Sequence, residues 1–144
     1  MATISATIDI DATPEQIMTV LADVAAYPEW SAVHKSATVD ATFPDGRPKR
    51  ATMGVAAVGL TDTQVVEYEW SAAGVTWTLV KPTLQQKAQT GSYSIAESGG
   101  GSRVSCELNI DPAIPLPGLI VRQIMKKAVT AGTEGLKRRV ESSR

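Results

Sequence analysis

Few residues of this chain offer the chemistry that catalysis needs, because the sequence contains one histidine, His34, and one cysteine, Cys106. An imidazole can act as a general base, and a thiol beside it can act as a nucleophile. No neighbour in the sequence gives His34 a partner, and the alternation of residues 103–110 places Cys106 on the inward side of a strand. We therefore expect His34 to be a structural side chain and Cys106 to be a small buried apolar residue.

Motifs for binding metals and phosphates and for acyl transfer are missing from the sequence. It has no HExxH or CxxC spacing for zinc, and no GxGxxG, P-loop or GxSxG motif. The glycines at 99–101 precede a predicted strand, so they form a hairpin turn and not a phosphate cradle. We predict no catalytic residue, no metal site and no cofactor. The recognisable carboxylates Glu67, Glu69 and Glu107 alternate outward, which argues against an inward acid–base pair but does not exclude an enzyme.

The composition describes an ordinary globular protein. The 144 residues predict one domain, residues 1–144, and the net charge of −1 argues against a nucleic-acid partner. One cysteine excludes an internal disulfide, and no apolar run has the length of a membrane span. The N-terminal residues MATISATIDI lack a basic start followed by an apolar core, so no signal peptide is predicted and the expected location is the cytoplasm.

The elements that position these residues follow from hydrophobic periodicity. Residues 3–10 alternate as in a half-buried strand. Thr13, Pro14 and Gln16 match an N-cap, a first helical position and a capping box for a helix that ends near Asp23. The side chains that this helix should bury are Ile17, Val20 and Leu21. A short helical turn at 27–30 follows, and then six predicted strands: 33–43, 47–58, 61–70, 75–80, 84–96 and 103–110.

The last predicted element is an amphipathic helix over residues 116–140 with small residues on its apolar face. That face contains Val121, Ile124, Met125, Ala128, Ala131, Gly132, Gly135 and Leu136. The polar face contains Arg122, Gln123, Lys126, Lys127, Thr130, Thr133, Glu134 and Lys137. Each glycine costs about 1 kcal/mol relative to alanine inside a helix. Either the helix lies unusually close to the sheet or it leaves space in front of it, and we favour the second interpretation, a ligand cavity.

This order of elements predicts an α+β fold, in which a curved antiparallel sheet of about seven strands wraps around the long C-terminal helix. The segments IDIDATPE (8–15) and YPEW (27–30), the glycine turn before RVSCEL (103–108) and the terminal helix together resemble the START/Bet v 1-like (SRPBCC) helix-grip superfamily. The resemblance is greatest to bacterial proteins described as polyketide cyclase/dehydrase or lipid transport, and it covers nearly the whole chain. It implies a deep apolar cavity between sheet and helix that binds a hydrophobic small molecule.

The candidate ligand-binding residues are the side chains expected on the inner faces of sheet and helix. They are Trp30, His34, Met53, Tyr68, Trp70, Trp77, Tyr93, Cys106, Val121, Ile124, Met125 and Ala128. A structural or core-packing role is an open alternative for each of them. It is the favoured one for Trp30, His34 and Cys106, and by a small margin for Tyr68, Trp70 and Trp77. Leu116 and Leu119 are candidate gate residues, because an apolar loop at the cavity end can touch a membrane or a carrier protein while a ligand passes.

Three functions remain open from the sequence. The leading one is non-catalytic binding or transport of a hydrophobic small molecule, such as a lipid, a quinone or a polyketide-like compound. The second is a polyketide cyclase or dehydratase, in which the cavity folds the substrate and a polar residue moves a proton. The third is a partner-binding module that uses the basic helix face, namely Lys126, Lys127, Lys137, Arg138 and Arg139; a solvated helix face is the simpler explanation of those charges.

Overall fold

The computed structural model describes residues 2–143 and confirms the predicted α+β helix-grip fold. The elements in chain order are β1 (Ala2–Ile10), α1 (Pro14–Ala22), a 3₁₀ turn (Val24–Ala26), α2 (Tyr27–Trp30), β2 (His34–Thr42), β3 (Pro48–Ala57), β4 (Leu60–Ser71), β5 (Gly74–Leu79), β6 (Gln86–Ser98), β7 (Gly101–Pro112), α3 (Gly118–Thr130), a π turn (Ala131–Gly135) and α4 (Leu136–Ser143). The last three are continuous and form one C-terminal helix of 26 residues.

The sheet is a seven-stranded antiparallel meander within the described residues, with the order β1-β7-β6-β5-β4-β3-β2. The strands from β2 to β7 pair with their neighbours in sequence, and β1 closes the edge beside β7, with Ile8 opposite Val104. The sheet is curved, so that its inner face and the C-terminal helix enclose the hydrophobic core.

The helix α1 forms where the capping signals place it. Gln16 N donates to Thr13 Oγ1 at 3.2 Å, and Thr13 N donates to Gln16 Oε1 at 2.9 Å, which completes the predicted capping box. Ile17 and Leu21 are fully buried, whereas Val20 is only partly buried. Because only one stripe of α1 faces the core, Val20 lies at its margin.

The C-terminal helix departs from a regular α-helix in its middle. A π turn at Ala131–Gly135 interrupts the α-helical hydrogen bonding, and Thr133, predicted on the polar face, is 4% exposed. Its hydroxyl donates to the carbonyl of Val129 at 2.9 Å, which satisfies the polar group locally. The assignment of Thr133 to the solvent side was therefore wrong, because a uniform period of 3.6 residues ignores the change of rotation in a π turn.

The two helical glycines mark close contact rather than empty space. A Cβ atom on Gly132 would lie 2.6 Å from Tyr93 Oη, and one on Gly135 would collide with the carbonyl oxygen of Trp30. The prediction that the glycines themselves leave space in front of the sheet is therefore wrong. They let the backbone approach β6 and α2 closely, and the open space lies mainly beside the helix segment that precedes them.

Candidate functional site

A cavity of about 170 Å³ lies between the inner face of the sheet and the first half of the C-terminal helix. Side chains from α2, from every strand between β2 and β7, and from α3 line it. Twelve of the candidate residues, including one of the two gate residues, border this space: Trp30, His34, Met53, Tyr68, Trp77, Tyr93, Cys106, Leu116, Val121, Ile124, Met125 and Ala128. The sequence thus located the cavity, although whether these residues bind a ligand stays a prediction.

Trp70 is a candidate that the structure places away from the cavity. It shares the inward side of β4 with Tyr68 and stacks on that ring at 5.6 Å, but it lies near the end of the strand. Its indole N–H donates to the carbonyl of Pro48 at 2.6 Å, and the guanidinium of Arg47 lies 5.8 Å from its ring centre. Alternation predicts which face of a strand a side chain occupies, but not how far the cavity extends along that face. The sequence therefore could not show that Tyr68 lines the cavity and Trp70 does not.

The two gate candidates also differ in position. Leu116 precedes α3, is partly buried and lines the cavity. Leu119 lies in the first turn of α3, is 69% exposed and does not line the cavity. Of the pair, only Leu116 borders the space in which a ligand would lie.

Close packing around the tyrosines fixes the central wall of the cavity. Trp77 and Tyr93 lie on neighbouring strands with ring centres 5.7 Å apart, and the Trp77 ring covers Gly91 so tightly that no side chain fits there. Tyr93 donates its buried hydroxyl to the carbonyl of Gly132 at 3.0 Å. Burial raises the pKa of Tyr93 well above its usual range, so the hydroxyl stays protonated and ties β6 to the helix.

Tyr68 holds a freer hydroxyl. Its only hydrogen bond within the described residues is to the thioether of Met53, at 3.9 Å. Sulfur is a weak acceptor, so the hydroxyl remains available to a better one. Burial raises the pKa of Tyr68, which keeps this group a donor at neutral pH.

His34 is a neutral imidazole at the cavity wall. Desolvation lowers the pKa of His34 to about 4, so the ring is uncharged at neutral pH. Its Nδ1 lies 2.7 Å from Ser31 Oγ, so the expectation that no neighbour in the sequence partners His34 was wrong. The ring packs edge-on against Tyr27 at 5.5 Å. The imidazole makes no other hydrogen bond within residues 2–143, so Nε2 is available to a ligand.

Cys106 packs as a buried apolar side chain. It is 4% exposed and pairs across the sheet with Tyr93. Burial is the largest cause that raises the pKa of Cys106, to about 12, so the thiolate needed for nucleophilic attack is not populated at neutral pH.

A buried polar cluster lies at one end of the cavity, and the sequence interpretation missed it. It consists of Asp62, Gln64, Gln86 and Gln89 with the indole N–H of Trp77, and all of these residues line the cavity. The three glutamines are 5–6% exposed. Gln64 Oε1 accepts from Gln86 Nε2 at 3.0 Å and from Gln89 Nε2 at 3.1 Å. Each buried amide thus has polar partners, as burial of such groups requires.

The sequence did contain a signal for this cluster. Asp62 and Gln64 occupy the same alternating positions of β4 as Val66 and Tyr68, so they face inward with them. Asp62 is accordingly an inward carboxylate, which the sequence analysis did not consider beside the outward Glu67, Glu69 and Glu107. The signal was overlooked because polar residues at one end of an alternating apolar pattern are easily taken as the point where the buried part of the strand ends.

Two polar atoms at the cavity are fully occluded and have no hydrogen-bond partner in the described part of the chain. They are Trp30 Nε1 and Gln85 Oε1. An unsatisfied buried group costs about 1–3 kcal/mol. Both residues line the cavity, but the two atoms themselves are occluded, so a ligand would reach either of them only after a side-chain rearrangement.

Part of the basic helix face is already paired within the chain. Lys137 Nζ lies 2.7 Å from Glu141, and Arg139 lies 2.9 Å from Glu29 on α2. Lys126 and Lys127 are exposed. No helix among the described residues combines the length and apolar character of a membrane span, and those residues contain no group of three or more metal-ligating side chains.

Comparisons with known proteins agree with this architecture. The structure of a START superfamily protein from Mycobacterium smegmatis is similar over 99% of both chains, with 22% identity and a TM-score of 0.88. An aromatase/cyclase from Streptomyces sp. R1128 has 11% identity and a TM-score of 0.81, covering 97% of this chain and 93% of its own. A STAR-related lipid transfer protein from Xanthomonas axonopodis has 11% identity and a TM-score of 0.74, covering 96% and 85%.

These structural similarities show the fold, because their sequence identities are low. None of the curated proteins is significantly similar to this chain in sequence. The sequence profile described as "Polyketide cyclase / dehydrase and lipid transport" matches residues 1–141. The chain therefore belongs to the polyketide cyclase/dehydrase and lipid transport family.

Proposed function

We propose that this protein binds a hydrophobic small molecule in the cavity between the sheet and α3, without chemical change to the ligand. The observation that carries the proposal is the cavity itself, because the core of a protein that binds no ligand is expected to pack without a void of this size. Side chains such as Val121, Met125 and Tyr68 bring apolar surface to it. The family is described by lipid transport and the Xanthomonas protein by lipid transfer, which supports the same interpretation.

The energetics favour a compact ligand. Removing apolar surface from water stabilises a complex by about 25 cal/mol per Å², so a ligand that buries about 200 Å² gains about 5 kcal/mol before ordering costs. The cavity of about 170 Å³ is close in size to the apolar cavities of about 150 Å³ that take up benzene. The flexible side chains of Met53 and Met125 border it and can adjust to larger molecules.

A cavity-filling variant tests the proposal. Ala128 is partly buried and lines the cavity, whereas its neighbour Lys127 is exposed. We expect an organic extract of the purified protein, examined by mass spectrometry, to contain a hydrophobic compound that is depleted in Ala128→Phe and retained in Lys127→Phe. Equal content in the two variants, or no compound together with no binding of added apolar probes, would contradict the proposal.

We also propose that the ligand enters at one end of the sheet. The exposed large hydrophobic side chains among the described residues are Val58, Val80, Leu84 and Leu119. All four lie at the end where β3, β5 and β7 finish and where β4, β6 and α3 begin. Leu116 lines the cavity at the same end. An apolar rim beside the entrance suits transient contact with a membrane or a carrier.

Ligand transfer between vesicles tests this entrance. Leu84→Ser and Leu119→Ser remove exposed apolar surface without altering the cavity lining, because Leu84 and Leu119 do not line it. Transfer should slow severalfold in these variants while equilibrium affinity stays the same. Leu116→Ser should change both quantities. An unchanged transfer rate in all three variants would refute the entrance.

A second candidate function is catalysis of the cyclase or dehydratase type, and the position of His34 favours it. The imidazole borders the cavity and has Nε2 available, which is the geometry that a general base requires, whereas its pKa of about 4 makes it a weak base at neutral pH. If the protein is an enzyme, His34→Gln should abolish turnover of a polyketide-like substrate. If it is a carrier, the same change and Tyr93→Phe should alter affinity only modestly.

A further inference from the structure

The hydrogen-bond network at the polar end of the cavity has a fixed direction. The indole of Trp77 is a donor only, and its Nε1 bonds to Gln89 Oε1 at 2.9 Å. At the other end of the network, Asp62 Oδ2 is a carboxylate oxygen and accepts from Gln86 Nε2 at 3.2 Å. The amides of Gln89 and Gln86 are therefore both oriented by a partner whose role cannot be reversed.

This direction decides the orientation of the third amide. Gln89 Nε2 donates to Gln86 Oε1 at 2.8 Å and to Gln64 Oε1 at 3.1 Å. Gln86 Nε2 also donates to Gln64 Oε1, at 3.0 Å. Two donors thus meet at the same atom of Gln64, so that atom must be the oxygen. A flip of the Gln64 amide would place two N–H groups against two others.

The amide nitrogen of Gln64 is consequently left without an acceptor. No hydrogen bond from Gln64 Nε2 occurs within residues 2–143, although the residue is only 5% exposed. The nitrogen is not among the occluded unpaired atoms, so open space borders it, and the open space beside Gln64 is the cavity. The weakly bonded hydroxyl of Tyr68, which is the second inward residue after Gln64 on β4, is a further donor at this wall.

Charge limits which acceptor can approach this donor. Among the described residues that line the cavity there is no lysine or arginine, and Asp62 is the only carboxylate. An anionic head group would enter a site without a counterion and beside a negative charge, which is strongly unfavourable at low dielectric. A neutral carbonyl oxygen meets no such penalty.

We infer that Gln64 Nε2 is the specificity-determining donor of the cavity and that it selects a neutral, carbonyl-bearing hydrophobic ligand. This inference rests on the proposed binding function. It predicts that ketones are preferred to the matching hydrocarbons, and that carboxylates and phosphates are rejected. The bicyclic compounds 1-tetralone, tetralin and 1,2,3,4-tetrahydro-1-naphthoate form a matched set of ketone, hydrocarbon and anion.

Gln64→Glu is the informative variant. It keeps an oxygen to accept from Gln86 and Gln89, and it replaces the N–H donor by a second oxygen. The matched control is Gln123→Glu, which makes the same change on the exposed side of α3. Affinities are measured by titration calorimetry at pH 9, and the carbonyl stretch of bound 1-tetralone is recorded by infrared spectroscopy. Gln64→Leu serves in the same assays if Gln64→Glu does not fold.

The wild-type protein and Gln123→Glu should bind 1-tetralone about threefold to tenfold more tightly than tetralin, the range of one neutral hydrogen bond. The bound ketone should show a lowered carbonyl frequency. Both effects should disappear in the Gln64 variant, in which the affinities for 1-tetralone and tetralin should agree within about twofold.

The other outcomes refute different claims. Equal affinity for ketone and hydrocarbon, or a preference that survives in the Gln64 variant, overturns the inference but leaves the binding function intact. Binding of the naphthoate as tight as that of the ketone overturns the selection for neutral ligands. Failure of both neutral probes to bind contradicts the binding function, and the inference with it.

Discussion

Gly132→Ala tests the close approach of the C-terminal helix to the sheet. The new methyl group would lie 2.6 Å from Tyr93 Oη, well inside van der Waals contact. The hydroxyl cannot simply move away, because it donates to the carbonyl of Gly132 itself at 3.0 Å and is buried. In the Tyr93→Phe background the obstructing oxygen is gone, and the nearest atom is the ring carbon at 3.7 Å, an ordinary contact.

The two backgrounds should give opposite signs. Overpacking of this kind costs about 1–3 kcal/mol, whereas replacing glycine by alanine inside a helix stabilises by about 1 kcal/mol. With Tyr93 present, Gly132→Ala should therefore lower the free energy of unfolding by up to about 2 kcal/mol. With Tyr93→Phe, which alone costs about 1 kcal/mol for the lost hydrogen bond, the same substitution should raise it by up to about 1 kcal/mol.

A double-mutant cycle by urea unfolding, followed by circular dichroism, measures both quantities. Gly118→Ala is the matched control, because a Cβ atom there has no neighbour within 4 Å; it should be neutral or slightly stabilising in both backgrounds. If Gly132→Ala costs the same with and without the hydroxyl, within about 0.5 kcal/mol, then the oxygen is not the obstacle and the reasoning fails.

Four further predictions concern other parts of the fold. The unfolded chain protonates His34 below pH 6.5, whereas the folded chain does not until about pH 4. The free energy of unfolding should therefore fall by about 1–3 kcal/mol as the pH drops through this window. Urea titrations should show that His34→Gln removes this part of the loss. Thr13→Ala should destabilise by about 1 kcal/mol through loss of the N-cap, while Thr19→Ala on the exposed side of α1 changes stability less; equal effects in thermal melts would contradict the cap. Met125→Ala should lower the free energy of unfolding by about 2–5 kcal/mol in chemical denaturation, because Met125 is 1% exposed and its truncation enlarges the cavity. Cys106 should react with an aromatic disulfide reagent only after denaturation, because the thiol is buried and its pKa is raised to about 12; rapid labelling of the native protein would refute this.

The fold was predictable because local signals agreed with one another. The alternation along β1 and β7 gave the faces of the two strands, and the capping box at Thr13 gave the start of α1. The short connections between the strands gave the meander. These signals act over a few residues, so they are readable without knowledge of the distant contacts.

The centre of the C-terminal helix was not predictable in the same way. The glycines were correctly identified as residues with a role, but the sequence does not say which side of the chain approaches them. Tyr93 lies 39 residues before Gly132, and only the assembled structure brings its hydroxyl to the helix. The π turn likewise has no recognisable signal in the hydrophobic pattern, so the sequence did not show that the rotation changes at Ala131–Gly135.

The cavity wall was predicted better than its polar end. Period two identified Tyr68, Trp77 and Tyr93 as inward residues. It could not position Trp70 relative to the cavity, because the length of the open space depends on the curvature of the sheet. The glutamine cluster was missed because its three amides come from two strands, β4 and β6, and form hydrogen bonds with one another only in the assembled sheet.

Gly132 and Gly135 hold the C-terminal helix against β6 and α2, because neither position has room for a side chain. The same helix carries Val121, Ile124 and Met125, which border the cavity. A larger residue at either glycine would therefore displace the helix backbone, and with it the part of the cavity wall that these three side chains form.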